Sequence, residues 1–408
     1  VRKMKKIVNL LTALLFLMSV SAQENKVKNL CNKINQDSLK QNVIELQGFS
    51  TRYAYSPNRK QVAEYLKGRL ENYGFEVVLD SFLLQTGWYL TEADTLWQYN
   101  VIGEKQGLWA KDTTVHLMAH YDSRSDMEGF EDYFNFAPGA DDNASGVAAL
   151  LEIARIINEN NIAPIKTLVI DFFAAEEQGL RGSWDRIDKI STPIWQEDIK
   201  AVINLDMIGY CQSDSTNYIF DLITYENSSE LTEMAREFAE QYTMLTPNET
   251  TENNYASDSY SFYSYGVKSV FLMEHEFTPH YHTERDVYNT INYHYMRELT
   301  KLAFALAYEC SVNNNYGVVS LEENESIAKE VTLLANPVKD NLKISCRNFS
   351  YATQYVLYSQ SSQIMKQGRI ENPNGVNIID CKDLKNGIYF LQIFSENQVI
   401  TKKIAVFH

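Results

Sequence analysis

Five potential metal ligands and one adjacent carboxylate lie along this chain in an order that fits a single catalytic site. They are His120 in MAHYD, Asp142 in GADDNASG, Glu176 and Glu177 in FFAAEEQG, Asp206 in INLDMIG and His282 in PHYHTERD. Imidazoles and carboxylates are the ligands zinc takes in hydrolytic sites. Adjacent glutamates repel unless a cation lies between them or one is protonated, so Glu176 and Glu177 divide economically into a general base and a metal ligand. Asp141, Asp142 and Asn143 crowd acid groups where a helix N-cap needs only one, which leaves a carboxylate free to bridge two cations. Asp122 follows His120 by two residues, on the same side of a strand, where it can hydrogen-bond the second ring nitrogen and set the tautomer. In the last element either His280 or His282 can bind metal, and Asp286 can support the neighbouring loop. Each of these has a plain reading alone, as a strand-end histidine, a capping aspartate, a first-turn acid or a turn former. Five strand ends or adjacent loops carrying them together read as one metal site.

Something must bring these positions together. Near-continuous apolar runs at FEVVLDSFLL, YNVIG, TVHLMA, TLVIDFFA, AVINLD, NYIFDLIT and SVFLME predict strands, several buried on both faces. Helical spacing separates them, best in GVAALLEIARIINEN, SELTEMAREFAEQY and INYHYMRELTKLAFALAYEC. Residues from about Lys26 to Tyr73 read mainly as helix, with Ser56 and Pro57 as a start signal and Gly74 as a stop. The expectation is an α/β fold with a mixed, largely parallel open sheet flanked by helices, whose strand ends converge on one crevice.

Length and composition bound the rest. The chain has 408 residues, enough for two domains, and its 45% hydrophobic content is that of a globular protein. A formal charge of -16 argues against nucleic acid as a partner. Residues 1–22 read as a signal peptide: a basic Arg2, Lys3, Lys5 and Lys6, an apolar run from Ile7 to Val20, and a small-residue site ending at Ala22. No other segment is long and apolar enough to span a bilayer, so no membrane span is expected in the mature protein. The cysteines, Cys31, Cys211, Cys310, Cys346 and Cys381, show no C-x-x-C spacing. Cys346 with Cys381 is a candidate disulfide, and the odd count leaves at least one free or paired outside the chain. Beyond a catalytic domain over 23–312, residues 313–330 read as a polar linker. Residues 331–408 alternate in short runs broken by Asn336-Pro337, Asn374-Gly375 and Asn386-Gly387, as in a small all-β sandwich.

From about Val43 to Cys310, these motifs taken in order resemble the secreted dinuclear zinc aminopeptidases of the clan MH exopeptidases, relatives of glutamate carboxypeptidase and glutaminyl cyclase. The resemblance implies a zinc exopeptidase fold and two zinc ions. His120 and Asp206 would hold one, Glu177 and His282 the other, and Asp142 would bridge them, followed by a cis peptide to Asn143. Glu176 would be the general base, and a tyrosine, Tyr281 or Tyr255, would stabilise the oxyanion. The substrates implied are peptides with a free N-terminus. One departure is Ser259, which stands where the family usually has histidine after Ser-Asp. HYDSR is similar to the first motif of the cyclases, which keeps a glutaminyl cyclase-like acyltransferase as an alternative, beside a carboxypeptidase acting on acidic dipeptides. A binding protein without activity is the third alternative, and such relatives lose ligands that are all present here. NPVKDNLKIS, LKNGIYFLQI and the terminal KKIAVFH resemble type IX secretion (Por) sorting domains, with Leu334 and Ala335 in place of the usual Tyr-Pro. That resemblance implies the type IX machinery as a partner and a secreted or cell-surface location reached through the periplasm.

Overall fold

The computed structural model describes residues 24–85, 95–191, 197–212, 218–313, 330–347, 349, 353–359, 364–395 and 398–408. The expected signal peptide and most of the expected linker lie outside them. The chain divides into two compact units, residues 1–313 and 314–408.

The first unit is built on eight strands: β1 (Glu76–Gln85), β2 (Thr95–Lys105), β3 (Ala110–His120), β4 (Lys166–Phe173), β5 (Asp198–Leu205), β6 (Tyr218–Thr224), β7 (Leu245–Thr250) and β8 (Ser269–Glu274). Their order in the sheet is β1-β2-β4-β3-β5-β8-β6-β7. The four central strands, β4, β3, β5 and β8, run parallel to one another, with His120 opposite Phe173, Met118 opposite Asn204 and Leu205 opposite Leu272. The β1–β2, β2–β4 and β6–β8 pairings are antiparallel. β4 is buried along its whole length, as its largely apolar run predicts, and the acid within it, Asp171, is paired with His116. β7, with the sequence LTPNET, has neither the apolar run nor the alternation that marks a strand. It is held as the last strand of the sheet by parallel pairing with β6, a tertiary effect.

Helices form over 24–31, Gln36–Gln47 and Arg59–Asn72 at the N-terminal side, as expected. Helix Ala144–Glu159 joins β3 to β4 and is buried on nearly every face, because helices Gln36–Gln47 and Tyr293–Ser311 pack on it as well as the sheet. After β3 the chain passes to β4 on one side and then to β5 on the other. The crevice beyond the carboxyl ends of β3 and β5 is therefore the topological switch point, where open α/β sheets bind ligands.

One buried ionic group lies in the sheet away from that crevice. His116 Nδ1 is 2.6 Å from Asp171 Oδ2, its Nε2 is 2.9 Å from Thr114 Oγ1 and 3.5 Å from Glu197 Oε2, and Arg186 pairs with Glu197 at 3.1 Å. Burial alone would lower the imidazolium, but Asp171 and then Glu197 raise it to about 9. The folded value lies above the unfolded one of about 6.5, so this group stabilises the fold fully below that pH. The contribution is lost as pH rises through about 9. We expect Tm to fall between pH 6.5 and 9.5 in the parent protein, and less steeply in a His116→Gln variant. A pH series of melting curves for both proteins checks this.

The second unit pairs a three-stranded sheet, β13-β10-β9, with a four-stranded one, β12-β11-β14-β15. The strands are β9 (Glu330–Leu333), β10 (Asn341–Arg347), β11 (Gln354–Ser359), β12 (Ile364–Arg369), β13 (Val376–Asp380), β14 (Gly387–Ser395) and β15 (Gln398–Val406). Leu342, Ile344 and Ile379 from one sheet share a core with Leu357, Leu391, Ile393 and Ile404 from the other. Cys346 and Cys381, the candidate disulfide, are both free and buried. The register explains why. Cys346 is bonded beside Gly375 and Cys381 beside Asp340, at opposite ends of the β10–β13 ladder. At ~3.4 Å per residue that separation is on the order of 20 Å, far beyond the Cα spacing of a disulfide.

Candidate metal centre

Four neighbouring parallel strands deliver the site residues. His120 is the last residue of β3, Asp206 follows β5, Glu176 and Glu177 follow β4, and His282 lies in the loop after β8. Asp142 comes from the turn that opens helix Ala144–Glu159. Asn143 caps that helix by accepting from the Gly146 amide and also donates to the Leu205 carbonyl at 2.9 Å. A Cβ on Gly146 would fall 2.4 Å from Leu205 O, so only glycine lets the helix start press against the end of β5 beside Asp206. The Asp142–Asn143 peptide is cis. Ala175, Met207 and His282, at or next to functional side chains, take left-handed φ values of 57°, 53° and 52°. Such turns in non-glycine residues persist where the surrounding structure enforces them.

The two oxygens of Asp142 face two different groups. Oδ1 lies 3.2 Å from His120 Nε2, which is also 3.2 Å from Asp206 Oδ1. Oδ2 lies 3.0 Å from His282 Nε2, which is also 3.0 Å from Glu177 Oε1. Within each triad, His120–Asp142–Asp206 and Asp142–Glu177–His282, the ligand atoms lie within 4.8 Å of one another. Zinc held tetrahedrally at about 2.0–2.1 Å needs ligand atoms about 3.3 Å apart, close to these spacings. Glu177 Oε1 is buried with no hydrogen-bond donor. The residues therefore fit zinc in donor type, spacing and unspent bonding capacity.

Electrostatics reinforce this fit. Burial alone would lower His120 and His282, yet Asp206 and Glu176 raise His120 well above its ordinary value, and Asp142 and Glu177 raise His282 to about 10. Burial works against ionised Asp142 too, but the two imidazoles hold it well below the usual carboxylate range. Burial and the charge of Asp142 push Glu177 to about 7, against the pull of His282. Burial raises Glu176 well above its usual range, with His120 opposing and Asp206 and Glu177 reinforcing. Desolvated carboxylates repel one another in this way until a cation is shared among them.

Supporting groups are only partly those anticipated. Asp122 Oδ1 lies 3.5 Å from His120 Nδ1, which has no hydrogen-bond partner, so the expected bond is not made. The Asp122 carboxylate instead accepts the amides of Glu176 at 3.1 Å and Glu177 at 3.3 Å, because those donors close on it from the loop after β4. Asp286 accepts the amides of Asp141 and Asp142 at 2.8 and 3.0 Å, supporting the neighbouring loop as its spacing implied. Ser257, the serine of the Ser-Asp pair before Ser259, to which the sequence assigned no role, donates to Asp206 Oδ2 at 2.7 Å and accepts from Asn204 Nδ2 at 2.7 Å. Ser259, in the place of the family's histidine, is buried and lies 2.9 Å from the Tyr225 hydroxyl. Of His280 and His282, only His282 lines the cavity described next, where His120 also lies.

A cavity of about 300 Å³ opens onto the triads, with Met207, Phe271, Met273, Phe277 and Tyr281 forming an apolar wall beside the ligands and Glu176. Tyr281 stacks on His282 with ring centroids 3.6 Å apart. Tyr255 is 65% exposed and does not line the cavity.

A carboxylate shared between two imidazole-containing clusters at the carboxyl ends of a mixed sheet is the build of a metal-dependent hydrolase. Residues 100–307, just over half of the chain, match Peptidase family M28, and the chain belongs to that family. Leucine aminopeptidase 1 of Coccidioides posadasii is 29% identical over 304 residues, covering 70% of this chain and 74% of that protein. Two solved structures share the fold. A zinc aminopeptidase from Bacillus subtilis has a TM-score of 0.57 at 17% identity, over 69% of this chain and 96% of that one. A glutaminyl cyclase from Bacteroides thetaiotaomicron has a TM-score of 0.56 at 22% identity, over 67% and 98%. Residues 335–407 match the secretion system C-terminal sorting domain, which addresses the protein to the type IX route and so to the cell surface or the outside. No helix among the described residues is long and apolar enough to cross a membrane.

Proposed function

We propose that this protein is a two-zinc aminopeptidase that removes apolar residues from unblocked peptide N-termini. Residues 23–312 form its catalytic domain and 331–408 its sorting domain. The observation that carries the reading is the division of Asp142, one oxygen toward the His120–Asp206 side and the other toward the His282–Glu177 side. In this reading His120 and Asp206 hold one ion, Glu177 and His282 the other, and Asp142 is common to both. Bound zinc supplies Lewis acidity and makes water acidic enough to act as a nucleophile near neutral pH. Glu176, outside both triads but in the same cavity, takes the proton from the attacking water and returns it to the departing amine. Burial raises the Tyr281 hydroxyl, which stays protonated and donates to the oxyanion formed on the substrate carbonyl. Asp122 holds the Glu176 and Glu177 backbone in place by accepting both amides.

The apolar wall sets the preference. Burying a leucine rather than an alanine side chain there is expected to raise kcat/KM about 10–100-fold. The test is cleavage of leucine-, alanine- and N-acetylleucine-initiated peptides by zinc-loaded protein, with products read by mass. Loss of the first residue from the free peptides alone, leucine fastest, is the expected result. Hydrolysis of the acetylated peptide, or release of only ammonia from a glutamine-initiated peptide, would overturn it. A chelator should abolish cleavage and added zinc restore it.

A further inference from the structure

We infer that Arg52 is a positioning residue of the metal centre, so that the N-terminal helical segment completes a site whose ligands all lie within residues 100–307. The inference rests on the proposed reading of that site as a metal centre. Arg52 lies between helices Gln36–Gln47 and Arg59–Asn72, before the segment matched to the peptidase family. It is 1% exposed, which for an arginine calls for an explanation.

Its guanidinium donates only to carbonyl oxygens. Nε donates to Tyr121 O at 2.8 Å, Nη1 to Pro138 O at 2.7 Å with Leu46 O at 3.4 Å, and Nη2 to Gly139 O at 2.7 Å. The Arg52 amide donates to Ser123 Oγ at 3.1 Å, and that hydroxyl donates to Ala137 O at 2.7 Å. Tyr121 sits between His120 and Asp122, and Gly139 is three residues before Asp142. One rigid fork thus joins the segment that ends in a ligand of the first triad to the turn that carries the shared carboxylate.

These two segments meet without a spacer. Gly139 has φ +49°, and a Cβ there would fall 2.4 Å from Asp142 O and 2.5 Å from Ser123 Cβ. Their carbonyls are turned inward where water is excluded, and leaving them without donors would be costly. Arginine supplies five donors in a fixed plane, whereas lysine supplies a point charge on a flexible stem. The fork also carries a permanent charge toward Asp286, Asp122 and Asp142, the acids that surround and form the site. Arg52 therefore sets both the separation of the two ligand-bearing segments and part of the charge balance at the bridging carboxylate, without touching substrate.

The test uses the full chain and the variants Arg52→Met and Arg52→Lys. Zinc affinity is measured by chelator competition, the visible absorption of the cobalt-substituted protein reports ligand geometry, and kcat and KM are taken for a leucine-initiated peptide. A folded Arg52→Met protein is expected to bind zinc about 10–100-fold more weakly, as when outer supports of metal ligands are lost. Its cobalt absorption should shift, and kcat should fall with KM little changed. Arg52→Lys should also show a shifted spectrum, because the charge is kept and the fork is lost. A folded Arg52→Met protein with parental affinity and spectrum overturns the inference. If Arg52→Met does not fold, a parental spectrum and affinity in Arg52→Lys overturns it equally. Failure of the parent chain to bind either metal would instead overturn the reading of the site as a metal centre, and this inference with it.

Discussion

A Glu176→Gln protein is expected to keep its full zinc content while kcat falls about 10²–10⁴-fold, the range general acid–base groups supply. Glu176 belongs to neither triad, yet it lines the cavity they face. Glutamine matches its shape and cannot accept the proton, so structure and metal should be retained while turnover is lost. KM should change little, because the substitution removes an interaction made only in the transition state. Elemental analysis for zinc and steady-state kinetics on one leucine-initiated peptide are sufficient. A variant that keeps a large share of parental kcat would remove Glu176 from the reaction. Loss of zinc would make it a ligand and would leave the site without its proposed base. The neighbouring Glu177→Gln is the internal control. Its oxygen lies 3.0 Å from His282 Nε2, and its change should cost metal as well as rate.

Asp142→Ala is expected to have the broadest effect, because both triads include that carboxylate. Losing only an outer support costs about 10–100-fold in metal affinity, so loss of the shared ligand should cost more than ~100-fold at both positions. Activity should fall below detection. Asp206→Ala, which touches one triad, should lower affinity at one ion only. Metal-free stability should fall too, because His120 and His282 lose the carboxylate that they hold well below its usual range. That loss is partly offset, because Asp142 also adds negative charge beside Glu177 and Asp141, which are pushed up in part by it. Without metal, Asp142→Ala should therefore be destabilised far less than the loss of binding would indicate. Zinc titration and melting curves of metal-free and zinc-loaded variants measure both effects. Equal zinc affinity in Asp142→Ala and the parent would dissolve the shared-ligand reading.

The candidate site was legible in the sequence because most of its acids and imidazoles follow strand ends, and strand ends are easy to see. Apolar runs such as TLVIDFFA stop where the chain turns, and an acid or imidazole placed just beyond each stop stands out. The parallel arrangement of four central strands then brings those ends to one crevice with little freedom. Supporting contacts were less legible, since they depend on which loops close over the site. Asp122 was placed correctly in the chain but bonds to the Glu176 and Glu177 amides rather than to His120. Ser257 supports Asp206, a role that the Ser-Asp pattern before Ser259 did not show. β7 was missed because its six residues owe their strand conformation to β6. The candidate bridge between Cys346 and Cys381 failed on register, which pairing decides and spacing along the chain does not.

From residue types and order alone came the fold class, the family resemblance, the candidate ligand residues and the secretion address. Each is carried by local pattern: periodicity, turn residues, and acids and imidazoles recurring at successive strand ends. Folding in three dimensions decided what those patterns leave open. It turned the two oxygens of Asp142 toward different imidazoles and put Tyr281, rather than Tyr255, against the cavity. It gathered Met207, Phe271, Met273 and Phe277 into an apolar wall, and it carried Arg52 from an N-terminal helical region to carbonyls beside the ligands. The reason is physical. A ligand's identity is a property of one residue, whereas its orientation, its partners and the space before it are sums over contacts between segments distant in the chain.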